Sequence, residues 1–155
     1  MIEAAAMAEK PLLDNSGIAS MDLGIRTLEF NYHYLLVILG RASDNMKSEI
    51  ILSSKKMLHL LQHLVSDSEE VYNGIVWQLV CCPFTPFLAL FGELLASKGT
   101  APGVDEEALL AMKELPLFLK KMSLRNSLAA KLQGIAVVFV QHAESIVRPA
   151  LARGK

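Results

Sequence analysis

VYNGIVWQLVCCPFTPFLALFGELLAS, residues 71–97, is the most densely apolar stretch of the chain. It also carries two of the six prolines, Pro83 and Pro86, on either side of Phe84 and Thr85. A proline lacks a backbone N–H and crowds the preceding turn, so a helix entering from Val71 must break or kink near Cys82. Thr85-Pro86 then reads as a new start, with Thr85 as N-cap and Pro86 at the first helical position. Two apolar helices meeting at a sharp joint lined by Trp77, Phe84, Phe87 and Phe91 need walls on several sides, which the rest of the chain has to supply.

A chain of 155 residues suits one domain large enough for a substantial core. The apolar fraction is high at 52% while aromatics are only 6%, so aliphatic side chains must fill that core. A formal net charge of −1 argues against a general electrostatic grip on nucleic acid, and no direct nucleic-acid partner is expected. The two cysteines, Cys81 and Cys82, are neighbours, too close for an unstrained disulfide. With no other cysteine there is neither a disulfide framework nor a thiol zinc site, and a reduced intracellular protein of cytoplasm or nucleus is expected. Residues 1–10 lack the long apolar core of a secretory signal. Residues 75–96 are about long enough to span a bilayer, but Gln78, Thr85, Glu93 and the two prolines favour a buried core helix, so no membrane partner is expected.

Upstream, residues 1–20 hold Pro11 and the turn signal Asp14-Asn15-Ser16-Gly17, and read as a flexible arm. Residues 21–41 form a helix whose Ile25, Leu28, Tyr32, Leu35 and Leu39 recur at three and four, the amphipathic signature, with Phe30, Val37 and Ile38 on other faces, so much of its circumference should be buried. Residues 43–66 form a second helix, capped by Ser43 or Asp44, with an apolar stripe at Ile51, Leu58, Leu61 and Val65 beside a polar one at Ser48, Lys55, His59 and Gln62. Ser66-Asp67-Ser68 opens a third helix running into the proline joint. Downstream, 98–103 (KGTAPG) is a loop, Asp105-Glu106-Glu107 opens a fifth helix kinked at Pro116, and Ser123 or Asn126 begins a last helix carrying Leu128, Leu132, Ile135, Phe139, His142 and Ile146 to Pro149. Residues 150–155 read as a frayed tail. The result is an all-α chain, one helical array of about six helices over residues 21–149, without strand-like alternation or internal repeats.

The proline joint carries a resemblance. PFTPFLALFGELL after VWQLV is similar to the proline-kinked segment of the fungal-specific transcription factor regulatory domain, the helical region C-terminal to zinc binuclear-cluster DNA-binding modules. LEFNYHYLLVILGRAS (28–43), KKMLHLLQHL (55–64) and VDEEALLAMKELPLFLKKMS (104–123) resemble the family's other helices in the same order, so the likeness covers roughly residues 23–147. It implies the distal, C-terminal part of such a domain standing alone, without the six-cysteine DNA reader, with a role in regulation, effector sensing and dimer contacts. It carries over no catalytic residue.

Candidate chemistry is sparse. Glu29 and His33 share a helix face at i,i+4, so a carboxylate could orient an imidazole; His33 with Glu29 and Tyr34 is the candidate catalytic or polar contact set. Tyr32, Trp77, Gln78, Phe84, Phe87 and Phe91 are the candidate ligand-binding set, an apolar wall with a few polar handles. His59 and His63 lie four apart but lack a secure third ligand, so no metal is expected, and no motif calls for a cofactor. Two function classes follow. The first is a non-enzymatic regulatory or small-molecule-binding module. The second is a cofactor-free enzyme on the same scaffold, a cyclase or isomerase of an apolar secondary metabolite that works by shaping a reactive conformer. An apolar small molecule fits either reading, and a homo-oligomer is expected if an apolar face is left bare.

Overall fold

The computed structural model of the chain describes residues 15–64, 78–97, 102–124 and 126–153. The described residues are helical apart from short turns, with no strand among them. Five helices carry the fold: α1 (Asn15–Gly40), α2 (Lys47–Leu64), α3 (Phe84–Ser97), α4 (Pro102–Ser123) and α5 (Ser127–Arg153). The all-α expectation holds, including at residues 134–140, where a β-branched run stays helical. Most of the helix expected between Ser66 and the joint lies outside the described residues, as does Trp77.

Boundaries differ from expectation for local reasons. α1 begins at Asn15, upstream of Met21, and ends at Gly40. The end is tight: a Cβ at Gly40 would meet the Ile50 Cγ1 at 2.8 Å, so glycine lets α1 close down on the start of α2. Ser43 is extended but its hydroxyl makes no capping bond; a short 3-10 turn (Asp44–Met46) precedes α2 instead. At the proline joint the chain turns at Cys82-Pro83, and α3 starts at Phe84. Thr85 is therefore inside the helix and not its cap. The Phe87 N–H reaches the Pro83 carbonyl at 3.1 Å and the Thr85 N–H the Cys82 carbonyl at 3.2 Å, so the new helix is seeded by the turn itself. Pro86 sits in the first turn, where its missing N–H has no intrahelical partner to lose. α4 opens on Pro102 and runs through Pro116 without interruption, because Leu115, Phe118 and Leu119 around that proline are all held in the core. α5 likewise continues past Pro149 to Arg153.

α2 occupies the middle, packed against α1, α3 and α4, while α4 and α5 make the most extensive helix pair. The core is aliphatic: Met57, Leu58 and Leu61 of α2 meet Leu90 and Leu94 of α3 and Met112, Leu115 and Leu119 of α4. α5 contributes small residues, with Ala129, Ala136, Ala143 and Val147 fully buried. The larger residues of this helix lie further out, with Leu128, Leu132, Phe139 and Ile146 part-buried and Ile135 exposed. α4 also buries alanines, Ala108 and Ala111, and small side chains permit close helix approach. α1 is also divided: Phe30, His33 and Val37 are buried, whereas Ile25, Leu28, Tyr32, Leu35 and Leu39 face outward. Gln78–Ser97 is long and apolar enough to cross a membrane, with 39% of its window buried and the Cys82-Pro83 turn inside it.

Asn126 caps α5 as expected: its Oδ1 accepts the Leu128 N–H at 2.9 Å and the Ala129 N–H at 3.1 Å. Asn126→Ala is expected to cost about 1 kcal/mol and lower the melting temperature by about 2–4 °C, while Asn126→Asp stays near wild type. Thermal unfolding followed by circular dichroism checks it; an unchanged midpoint for the alanine variant would refute the cap.

Candidate functional site

The candidate residues on α1 part company around the helix. Successive positions are about 100° apart, so Glu29 and His33, though four apart, still differ in depth. His33 is buried against α2 and Glu29 is exposed. The imidazole Nδ1 is buried and has no hydrogen-bond partner, so the carboxylate does not orient it through a bond. Burial pushes the His33 pKa down, the Lys56 ammonium adds to this, and Glu29 and Glu49 pull weakly the other way. Ser53 lies on the same face of α2 as Glu49 and Lys56, and its fully buried hydroxyl is also unpaired. The exposed Tyr32 ring meets the His33 ring edge-on at 5.3 Å.

Tyr34 and Asn31 look instead toward the joint. Gln78 Nε2 donates to Asn31 Oδ1, and the Tyr34 phenol shares a hydrogen bond with the Cys82 thiol, which holds the phenol above its usual range. Burial raises the Cys82 thiol, with the Tyr34 contact acting against it. One turn of α1 is thus clasped to one turn before the joint by two polar contacts. The phenylalanines form a third group. Phe84 meets Phe87 at 5.8 Å, Phe87 meets Phe139 at 6.1 Å, and Phe91 meets Phe139 at 4.8 Å and His142 at 5.9 Å. These are edge-to-face core contacts between α3 and α5, and Phe87 is fully buried. Among the described residues the two candidate sets are therefore split over three interfaces. Trp77 lies outside them. His59 and His63 are both exposed on α2, and no group of three potential metal ligands occurs among the described residues.

The concave feature is elsewhere. Between the C-terminal ends of α2 and α4 lies a groove of about 510 Å³. Leu61 and Phe118, both buried, form its floor, and Leu117 and Leu124 its apolar flank. Gln62, Glu114, Lys120 and Lys121 supply polar groups at its edge. Ser123 also lines it, with its hydroxyl donating to the Lys120 carbonyl at 2.7 Å. The groove is thus an apolar trough with one carboxylate and two ammonium groups among its lining side chains. The sequence reading passed over these residues. The available signal was Leu117, Lys120, Lys121 and Leu124 recurring at three and four on a helix already packed through Leu115 and Leu119.

The chain is 40% identical over 150 residues, 95% of its length, to a protein of Claviceps purpurea named as a transcriptional regulator. It is 33% identical over 125 residues, 77% of its length, to an uncharacterized transcriptional regulatory protein of Schizosaccharomyces pombe. It spans about a quarter of the length of these curated relatives, 24% and 21% respectively. The chain is thus homologous to a part of fungal proteins named as transcriptional regulators. No family model matches it, and no solved structure does.

Because the folded-state pKa of His33 lies below its ordinary value near 6.5, the unfolded chain takes up that proton more readily. The stability tied to a neutral His33 is fully present above about pH 6.5 and falls as pH drops below it. The urea midpoint is therefore expected to be lower at pH 5.5 than at pH 7.5, and the difference to shrink in His33→Leu. An equal pH dependence in the variant would remove His33 from this role.

Proposed function

We propose that the chain is a non-enzymatic regulatory module of a fungal transcription regulator, equivalent to the distal part of the fungal-specific transcription factor regulatory domain, and that it senses an apolar anionic effector in the α2–α4 groove. The observation that carries the regulatory reading is homology along nearly the whole chain to segments of transcriptional regulators. The near-neutral charge supports a part in regulation other than gripping DNA, since neutralising phosphates takes a cluster of cations. Its place of action is inside the cell, in the cytoplasm or nucleus. The apolar floor and paired lysines of the groove support the effector class.

A cyclase or isomerase reading needs an open cavity walled by the joint phenylalanines, and the described part of that wall, with Phe87 at its centre, is closed core. The regulatory reading is therefore preferred.

Two measurements test the proposal. In a mobility-shift assay at physiological salt the chain is expected to show no sequence-selective retention of DNA; selective retention would overturn the proposed division of labour. In isothermal titration, decanoate is expected to bind more tightly than decanol. The Lys120→Glu/Lys121→Glu variant is expected to weaken decanoate at least tenfold and to leave decanol unchanged. Equal affinity of wild type and variant for decanoate would remove the groove as the effector site.

A further inference from the structure

α1 presents a continuous apolar seam to solvent. Met21, Ile25, Leu28, Tyr32, Leu35 and Leu39 follow one another at intervals of four and three, and each is between 54% and 72% exposed. At 100° per residue all six fall within about 40° of one line along the helix. Phe30 and Val37, buried in the chain's own core, lie on the opposite line. This is the alternating spacing of a two-stranded coiled coil, sustained over nearly three heptads on a helix already anchored by its other face. Ile38 widens the seam at its C-terminal end. The seam itself bears no charge.

We propose that this face pairs with the same face of a second copy of the chain, the two α1 helices running parallel. Three observations converge on a second copy. The spacing is self-complementary, since each knob meets a hole of the same kind in an identical helix. The bare apolar side chains make a contiguous patch on the order of several hundred Å², the size that marks an interaction surface, and a stable interface takes ~800 Å² per partner once its polar rim is counted. The flanking charges select the direction. Asp22 and Glu29 lie along one edge of the seam, and Gly24 and Asn31 along the other. Parallel helices set one edge against the opposite edge of the partner, so Glu29 faces Gly24 of the second copy. Antiparallel helices would set like edges together and bring the two Glu29 carboxylates face to face. Asp22 is already paired within its own helix, to Arg26 at 2.7 Å.

The experiment is sedimentation equilibrium of the full chain from about 1 to 100 μM. The expected mass is twice the 17.0 kDa of the chain. Leu28→Glu/Leu35→Glu is expected to weaken association at least 100-fold with an unchanged helical circular dichroism spectrum, because both side chains are exposed. A wild-type chain monomeric throughout the range would overturn the proposal and leave the seam to a different segment or protein. A dimer that survives the double substitution would also overturn it. Leu39→Cys in a Cys81→Ser/Cys82→Ser background tests direction. Oxidation is expected to link the parallel dimer, whereas in an antiparallel one the two positions stand roughly 27 Å apart and stay unlinked.

Discussion

The structure depends on burying one broad face of α2. Ser53, Ser54, Met57, Leu58, Leu61 and Leu64 are all withdrawn from water along this one helix, and no single neighbour can cover that face. α1, α3 and α4 therefore pack around it, and α5 closes the far side of α4. At the two buried serines the residues are small enough for a neighbouring backbone to come near, but their hydroxyls are left without partners. Burial likewise pushes the His33 pKa down. The centre of the molecule thus tolerates a few unsatisfied polar atoms in exchange for close helix packing.

The ion pairs are arranged around this core and do not make it. Lys55 of α2 reaches Glu107 of α4 at 2.9 Å, Lys47 of α2 reaches Glu93 of α3 at 2.8 Å, and Lys113 of α4 reaches Glu144 of α5 at 2.7 Å. Each joins two helices at the surface, where water screens the attraction and the contribution is small. Their effect is on register: each pair fixes one helix lengthwise against its neighbour, while the aliphatic contacts beneath supply most of the free energy.

Two features remain open to solvent once the core is closed, and they lie on different elements. The groove at the ends of α2 and α4 has an apolar floor and an edge that carries Glu114, Lys120 and Lys121. The seam on α1 is long, straight, uncharged and shaped for another helix. On the proposed reading the groove would take the signal and the seam the second copy.

Helical class, most helix spans, the break at Cys82-Pro83 and the Asn126 cap were legible in the amino-acid sequence, because each depends on local chemistry: a 3.6-residue period, a missing N–H, a side-chain oxygen within reach of free amides. The polar stripe of α2 was legible for the same reason. What the sequence could not determine was which of two apolar faces a helix turns inward. On α1 much of the circumference was expected to be buried, yet Phe30, His33 and Val37 went into the core while the stripe from Ile25 to Leu39 stayed exposed. On α5 the alanines displaced the larger residues. Periodicity reports that a face is apolar and says nothing of its partner, and the partner is chosen by how closely two helices can approach. The candidate site was divided for the same reason: Tyr34, His33 and Phe87 are near one another in pattern, but the directions in which they point were set only when α2 became the common axis.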